Sequence, residues 1–419
     1  MRKLLIILFL PVQMVFGQQN ITIDSCYHWA RENYPNLKQN ELWSEISALK
    51  KENIKTSYYP QVTLNGQATY QSDVTGINIS VPGITIPTVA KDQYKVYAEF
   101  RQTIWDGGIS GINSQLEDAV LQNNLNQLEI EIYKLNDQVS MAFFTSLVVD
   151  KQIEVVNAQK KVLEERLKTT ESGIANGVVE KATASVIKAE ILNLEQNKIK
   201  LKSGKIAAIQ MLSVLTGKNL DENSQFIYSE KQIQATELHR PELQLFASQS
   251  GALEKQKELL QKTRNPKIFG FGQAGYGRPG LNMLSENFDS WYLVGAGISW
   301  NAFNWKNTAR QKQVLSLQQD MLKTGEQTFR QNIDVLLVQQ KSQISQLEDL
   351  LKTDQEMVSL RSEIAKSASS KLENDVITAS DYIQEVQAET LAKLNLELHQ
   401  IQLEEANEKY SLIMGKNLN

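Results

Sequence analysis

A single cysteine, Cys26, rules out a disulfide framework, and three scattered histidines cannot assemble a zinc cluster. After residue 20 nothing approaches the ~18 apolar residues that a transmembrane helix needs. Positive charge is not in excess either. Lys and Arg number 44 against 48 Asp and Glu, a net charge of −4, and loss of Arg2 and Lys3 with a leader makes it −4 − 2 = −6. Nucleic acid is therefore not an expected partner. No Ser/His/Asp set, paired-carboxylate site or phosphate loop stands out, so no catalytic, cofactor-binding or metal-binding residue is expected. Gly270-Phe271-Gly272-Gln273-Ala274-Gly275 spells GxGxxG. A dinucleotide site needs that motif between a strand and a helix. Here it follows Pro266 and runs into the turn Tyr276-Gly277-Arg278-Pro279-Gly280, so it reads as small residues on a crowded strand.

What the chain does have is a repeat. Tyr34-Pro35-Asn36-Leu37 through Pro60 to Gly66-Gln67-Ala68-Thr69-Tyr70 matches Arg240-Pro241-Glu242-Leu243 through Pro266 to Gly272-Gln273-Ala274-Gly275-Tyr276, at a constant offset (241 − 35 = 206). Later the offset is 198: Asn176-Gly177-Val178-Val179 matches Asn374-Asp375-Val376-Ile377, and Gly217-Lys218-Asn219-Leu220 matches Gly415-Lys416-Asn417-Leu418 (374 − 176 = 198). The halves differ by eight residues (206 − 198 = 8) in one loop. They are far longer than a solenoid repeat. The organisation expected is a leader over 1–17, a first repeat over 18–220, a linker or equatorial segment over 221–235 and a second repeat over 236–419. The leader is a secretory signal peptide: basic Met1-Arg2-Lys3, an apolar run from Leu4 to Phe16, and small-residue cleavage chemistry at Val15-Phe16-Gly17.

Each half reads as the same series of elements. A helix (about Ile23 to Ser57 in the first half) is followed by a proline, two strand-like runs and a long helical hairpin, over 107–216 and 305–415. No glycine or proline falls between Ile112 and Ser172. Leu121, Leu125, Leu128, Ile132, Leu135 and Val139 step by 4 and 3, the spacing of a coiled-coil seam, and Ile333, Leu337, Gln340, Ile344, Leu347 and Leu351 repeat it with one polar member. Sixty helical residues reach about 90 Å, the dimension of a tube or stalk.

The strand pairs, Gln61 to Gln71 with Tyr94 to Trp105 and Lys267 to Tyr276 with Ser290 to Asn301, have the length of tilted membrane strands. Val96, Ala98, Phe100 and Ile104 alternate with Lys95, Tyr97, Glu99, Arg101 and Thr103; in the fourth run Tyr292, Val294, Ala296, Ile298 and Trp300 form the apolar set. Tyr70, Tyr94, Trp105, Tyr276, Trp291 and Trp300 sit near strand ends, as interfacial aromatics would. A soluble sheet packed on helices alternates in the same way; the leader and the lack of an apolar helix favour the membrane. Four strands cannot close a barrel and open edges are not tolerated in lipid, so several chains must share one; three give 3 × 4 = 12 strands.

With these residues in place, the chain resembles the TolC-type outer-membrane efflux family over essentially all of its length after the leader. The resemblance rests on the duplicated halves, the opening Thr22-Ile23-Asp24 to Asn33-Tyr34-Pro35-Asn36-Leu37, the strand-to-helix corner Ile104-Trp105-Asp106-Gly107-Gly108, and the closing segments Leu215-Thr216-Gly217 and Ile413-Met414-Gly415. The second corner, Ala302-Phe303-Asn304-Trp305, departs from it by lacking the glycines. Asp106 and Asn304 are expected to N-cap the long helices. The resemblance implies a mainly α fold with a membrane β-barrel portion: a homotrimer whose twelve-stranded barrel lies in outer-membrane lipid. A helical tunnel would descend through the periplasm to an adaptor and an inner-membrane pump, the chain being a passive exit conduit for efflux or type I secretion.

Within that expectation the hairpin breaks over 172–180 and 367–378 are the periplasmic tips, where docking and gating belong: Gly173, Asn176, Gly177 and Val178 at one, Asn374, Asp375 and Val376 at the other. Asn176-Gly177 and Asn374-Asp375 suit a turn with positive φ. Asp381, and less so Asp375, could form a threefold carboxylate ring that selects cations. Two rival readings are a secreted coiled-coil stalk with a soluble sheet and a periplasmic adaptor; the duplicated pattern argues against the latter.

Overall fold

A computed structural model describes residues 21–74, 90–228, 237–283 and 285–416. The expected leader, 229–235 of the linker and most of the loop between the first two strands lie outside them. The elements are α1 (Ile23–Asn33), α2 (Gln39–Lys55), β1 (Gln61–Tyr70), β2 (Asp92–Trp105), α3 (Ile109–Ala175), α4 (Lys181–Thr216), α5 (Pro241–Lys262), β3 (Lys267–Arg278), β4 (Asp289–Ser299), α6 (Asn307–Glu373) and α7 (Ala379–Met414). Both bounds of α3 and α4 recur in α6 and α7 at the sequence offset (307 − 109 = 198, 414 − 216 = 198). β1 and β3 begin at the earlier one (267 − 61 = 206), which places the length difference in the hairpin loops between paired strands.

The first helix differs from the continuous one expected from Ile23 to Ser57. Pro35 lacks an amide proton and drives Tyr34 to extended backbone (ψ 119°), so α1 ends there and a 3-10 turn over Pro35–Lys38 leads into α2. Its repeat partner Pro241 instead starts α5, where a missing N–H costs nothing.

The compact units are not the sequence repeats. Among the described residues one comprises 21–37, 128–228, 237–241 and 328–416, the other 38–74, 90–127, 242–283 and 285–327, so each draws on both halves. In the first unit a core of Tyr27, Phe143, Phe144, Leu212, Ile401 and Leu412 includes Phe226 from the expected linker, whose backbone pairs with Ile21 and whose ring meets Phe143 edge-on. Beside this core Lys416 Nζ lies 2.7 and 3.0 Å from the buried Glu408 carboxylate oxygens and 2.9 Å from Asp24 Oδ1. Tyr27 donates its hydroxyl to Glu408 Oε1 at 3.1 Å. Glu408 is thus a buried charge with its partners assembled, joining the two ends of the described chain. The Cys26 thiol in this core is pushed up to about 12 by burial, which leaves it unreactive.

The expected seams are present. Leu128, Ile132 and Val139 are buried on α3, as are Ile333, Gln340 and Leu347 on α6. Gln340 is tolerated because its Nε2 donates to the carbonyl of Ala406 at 3.2 Å and to Gln343 Oε1 at 3.4 Å. A second core, nearer the hairpin breaks, gathers Val156, Leu163, Ile187, Tyr382, Ile383 and Val386.

In the second unit the four strands form one antiparallel sheet in the order β1-β2-β3-β4. The registers Leu64↔Ala98, Ala98↔Ala274 and Ala274↔Tyr292 put Val62, Leu64, Val96, Phe100, Ile268, Tyr292, Val294 and Ile298 on one face. Leu64 and Val294 are 83% and 77% exposed there, so this apolar face is unpacked by the chain itself. The opposite face carries Thr63, Asn65, Gln67, Lys95, Glu99, Arg101 and Gln273.

Candidate functional site

Three places carry the expected functional residues: the hairpin tips, the strand–helix corners and the sheet. At the first tip Gly177 takes φ +76°; its amide donates to Ile174 O at 3.0 Å and the amide of Val178 to Gly173 O at 3.0 Å. This Schellman ending closes α3. At the second tip Asp375 occupies the same position at φ +58°, its amide donating to Leu372 O and that of Val376 to Lys371 O at 2.8 Å. Asn176 and Asn374 each donate Nδ2 to the carbonyl four residues back, Ser172 at 3.0 Å and Ser370 at 2.8 Å. The two turns are one motif built twice, and both leave an apolar residue in solvent: Val178 is 69% exposed and Val376 67%. Gly173 has a separate reason for its identity, since a Cβ there would lie 2.6 Å from Val179 Cγ2.

Asp381 has a local task. Its Oδ2 accepts from the Thr378 amide at 3.0 Å and the Thr378 hydroxyl at 2.7 Å, while its own amide donates to Thr378 Oγ1 at 3.2 Å. This capping box starts α7, and the two Thr378 donors hold the Asp381 carboxyl below its ordinary value. The first tip has Glu180 and Thr183 at the equivalent places and no such box. The second tip is also tied sideways: Arg166 of α3 donates to Glu373 Oε1 at 2.7 Å and Ser369 O at 3.4 Å, with its guanidinium 5.6 Å from the Tyr382 ring. Arg166 lacks any tip motif, and sequence reading passes it over because its partners lie some two hundred residues away.

At the first corner the Asp106 carboxylate accepts from the amides of Gly108 (2.8 Å), Ile109 (3.1 Å) and Ser110 (2.6 Å), and from the hydroxyls of Ser110 (2.5 Å) and Tyr58 (2.8 Å). Burial works against its charge, but the hydrogen bonds from Ser110, Tyr58 and Gly108 outweigh it and hold the carboxyl below its ordinary value. Gly107 and Gly108 turn through φ +80° and +86°, and a Cβ on Gly107 would strike Asn265. The second corner makes the same turn without glycine: Trp305 and Lys306 stand at φ +53° and +59°. Asn304 does not cap as expected. Its Nδ2 donates to Thr308 Oγ1 at 2.6 Å instead. Phe303 and Trp305 pack edge-to-face at 4.8 Å, both exposed.

Of the interfacial aromatics, Tyr70, Tyr94, Tyr276 and Trp300 lie exposed on the apolar side of the sheet or its rim. Trp105 joins them because a register shift after Thr103 sets it opposite Ile268. Trp291 does not. It pairs with Gly275 on the polar face and packs on Tyr97 at 5.7 Å, since it is one residue out of phase with Tyr292. Phe288, which stacks on Tyr276 at 5.7 Å and Tyr94 at 6.2 Å, supplies the missing aromatic at that end.

The chain thus combines a four-stranded sheet with one exposed apolar face and two long helical hairpins. Residues 27–218 match the family model described as outer membrane efflux protein. Among solved structures, the chain is similar to the Vibrio cholerae outer membrane protein VceC at 13% identity, covering 95% of this chain and 97% of that one with a TM-score of 0.66. The Campylobacter jejuni CmeC outer membrane channel matches at 13% identity, 94% and 85% coverage and TM-score 0.63. The open state of the Neisseria gonorrhoeae MtrE channel matches at 15% identity, 94% and 89% coverage and the same TM-score, 0.63. No curated protein sequence matches. The family match takes in 218 − 27 + 1 = 192 of the 419 residues, and the solved channels share the fold over nearly all of the chain. Its fold is that of these outer-membrane channels, and its first half carries the efflux-family match.

Proposed function

We propose that three copies share a twelve-stranded barrel and that their helical hairpins form a passive exit tunnel, docked at its tips to a periplasmic adaptor and an inner-membrane pump. One observation carries the trimer. Among the described residues the sheet ends in two unpaired edges, β1 and β4, and its exposed face is apolar from edge to edge. Such edges are not tolerated in lipid, and copies joining β4 to β1 remove them. Detergent extraction of outer membranes followed by native mass analysis tests this: a detergent-requiring trimer is expected, and a water-soluble monomer would overturn it.

The tips are the proposed docking and gating region. Val178 and Val376, held outward by matching turns, offer two apolar contacts per chain to the adaptor. The Arg166 contacts with Glu373, Ser369 and Tyr382 hold the second tip against the first hairpin at rest. We assign Asp381 to the start of α7 rather than to a cation-selecting ring, because the capping box accounts for its placement.

A further inference from the structure

Resting on the reading that the polar face of the sheet lines the barrel, we propose that this inner wall carries a stacking site for flat aromatic anions. A water-facing wall has no need of large apolar rings, yet this one holds Phe269 and Phe271 on β3, Tyr97 on β2 and Trp291 on β4. β1 contributes none; its residues on this face are Gln61, Thr63, Asn65, Gln67 and Thr69. All four rings are half-buried, so each keeps part of its surface open on this face.

The rings are pressed onto the wall. Phe269 and Phe271 stand opposite Gly297 and Gly295, and a Cβ at either glycine would lie 2.6 Å from the facing ring. The glycines of the apolar face differ: Gly66 has open space, and Gly272 meets only ordinary contacts from 3.5 Å outward. The crowded glycines therefore sit beneath the inward rings, leaving a low aromatic surface of the kind on which planar molecules stack. The charge beside it is positive. The Arg101 guanidinium stands 4.3 Å from the centre of the Phe269 ring, and Lys267 lies two residues before Phe269 on the same face. Glu99 is the nearby acid, further along β2 opposite Gln273. A ring that stacks on Phe271 and carries a carboxylate or sulfonate toward Arg101, whose guanidinium already covers Phe269, satisfies both features.

The test uses the full-length protein in planar bilayers with three blockers: 1-naphthoate, its decahydro analogue and 1-naphthylmethylammonium. Naphthoate is expected to reduce the current at roughly fivefold lower concentration than the saturated acid, the size of a stacking preference, and lower also than the cation. Phe269→Leu/Phe271→Leu should erase the preference for the aromatic acid, and Arg101→Gln the preference for the anion, each read as a ratio of blocking concentrations against that variant's own open-channel current. Equal block by the aromatic and saturated acids would overturn the stacking site without any substitution, while the channel itself stays intact. Absence of any channel in lipid would instead remove the barrel reading and this inference with it.

Discussion

Trp305 and Lys306 hold left-handed backbone where the first repeat has Gly107 and Gly108, and Asp375 does so where it has Gly177. The turns are therefore dictated by position in the repeat, and the second half tolerates side chains that resist them. Asp375→Gly should stabilise the second tip by up to about 1 kcal/mol, the left-handed strain being partly offset by glycine's freedom when unfolded. Slower amide exchange over 371–377 with no change over 173–179 is the check. Asp106 gives a pH prediction. Its folded-state carboxyl titrates below the ordinary carboxylate value, so its contribution is present above that value and lost as pH falls through the folded one. Asp106→Ala should cost about 1–2 kcal/mol at neutral pH, the usual worth of a strong N-cap. In thermal melts the gap between variant and parent should narrow in acid; a gap that stays constant would show that the cap acts without its charge.

At the scale of elements, the hairpins owe their order to seams with a 4-3 period and their ends to paired turns. The two tips are nevertheless unequal, because only the second is tied to α3 through Arg166 and only α7 has a capping box. Arg166→Ala removes two hydrogen bonds and a ring contact, each of the order of 1 kcal/mol. Faster exchange at 369–377, with the first tip unchanged, is expected. Uniform change at both tips would mean that Arg166 supports the core and not one tip. The seams were legible because their period is local. Arg166 was not, since its role exists only once α3 lies beside α6 and α7.

For the whole molecule the sheet decides location. Val294→Lys, in the middle of β4 on the apolar face, should cost roughly 2–4 kcal/mol in lipid, whereas Thr63→Lys on the polar face should cost little. Comparing the yield of folded protein from outer membranes for the two variants distinguishes lipid from solvent on that face; equal yields would reject the assignment of faces. The sequence by itself determined the duplication, the order of elements, the seams and the alternation of the strands. Each follows from short-range periods and backbone sterics that need no distant partner. The tertiary structure alone decided the rest: compact units drawn from both repeats, Phe226 in the core, Trp291 on the polar face, and Asn304 bonded to Thr308 rather than to helix amides. These depend on strand register and on which segments meet across some two hundred residues, and a one-residue change of phase is enough to move a side chain to the other side of a sheet.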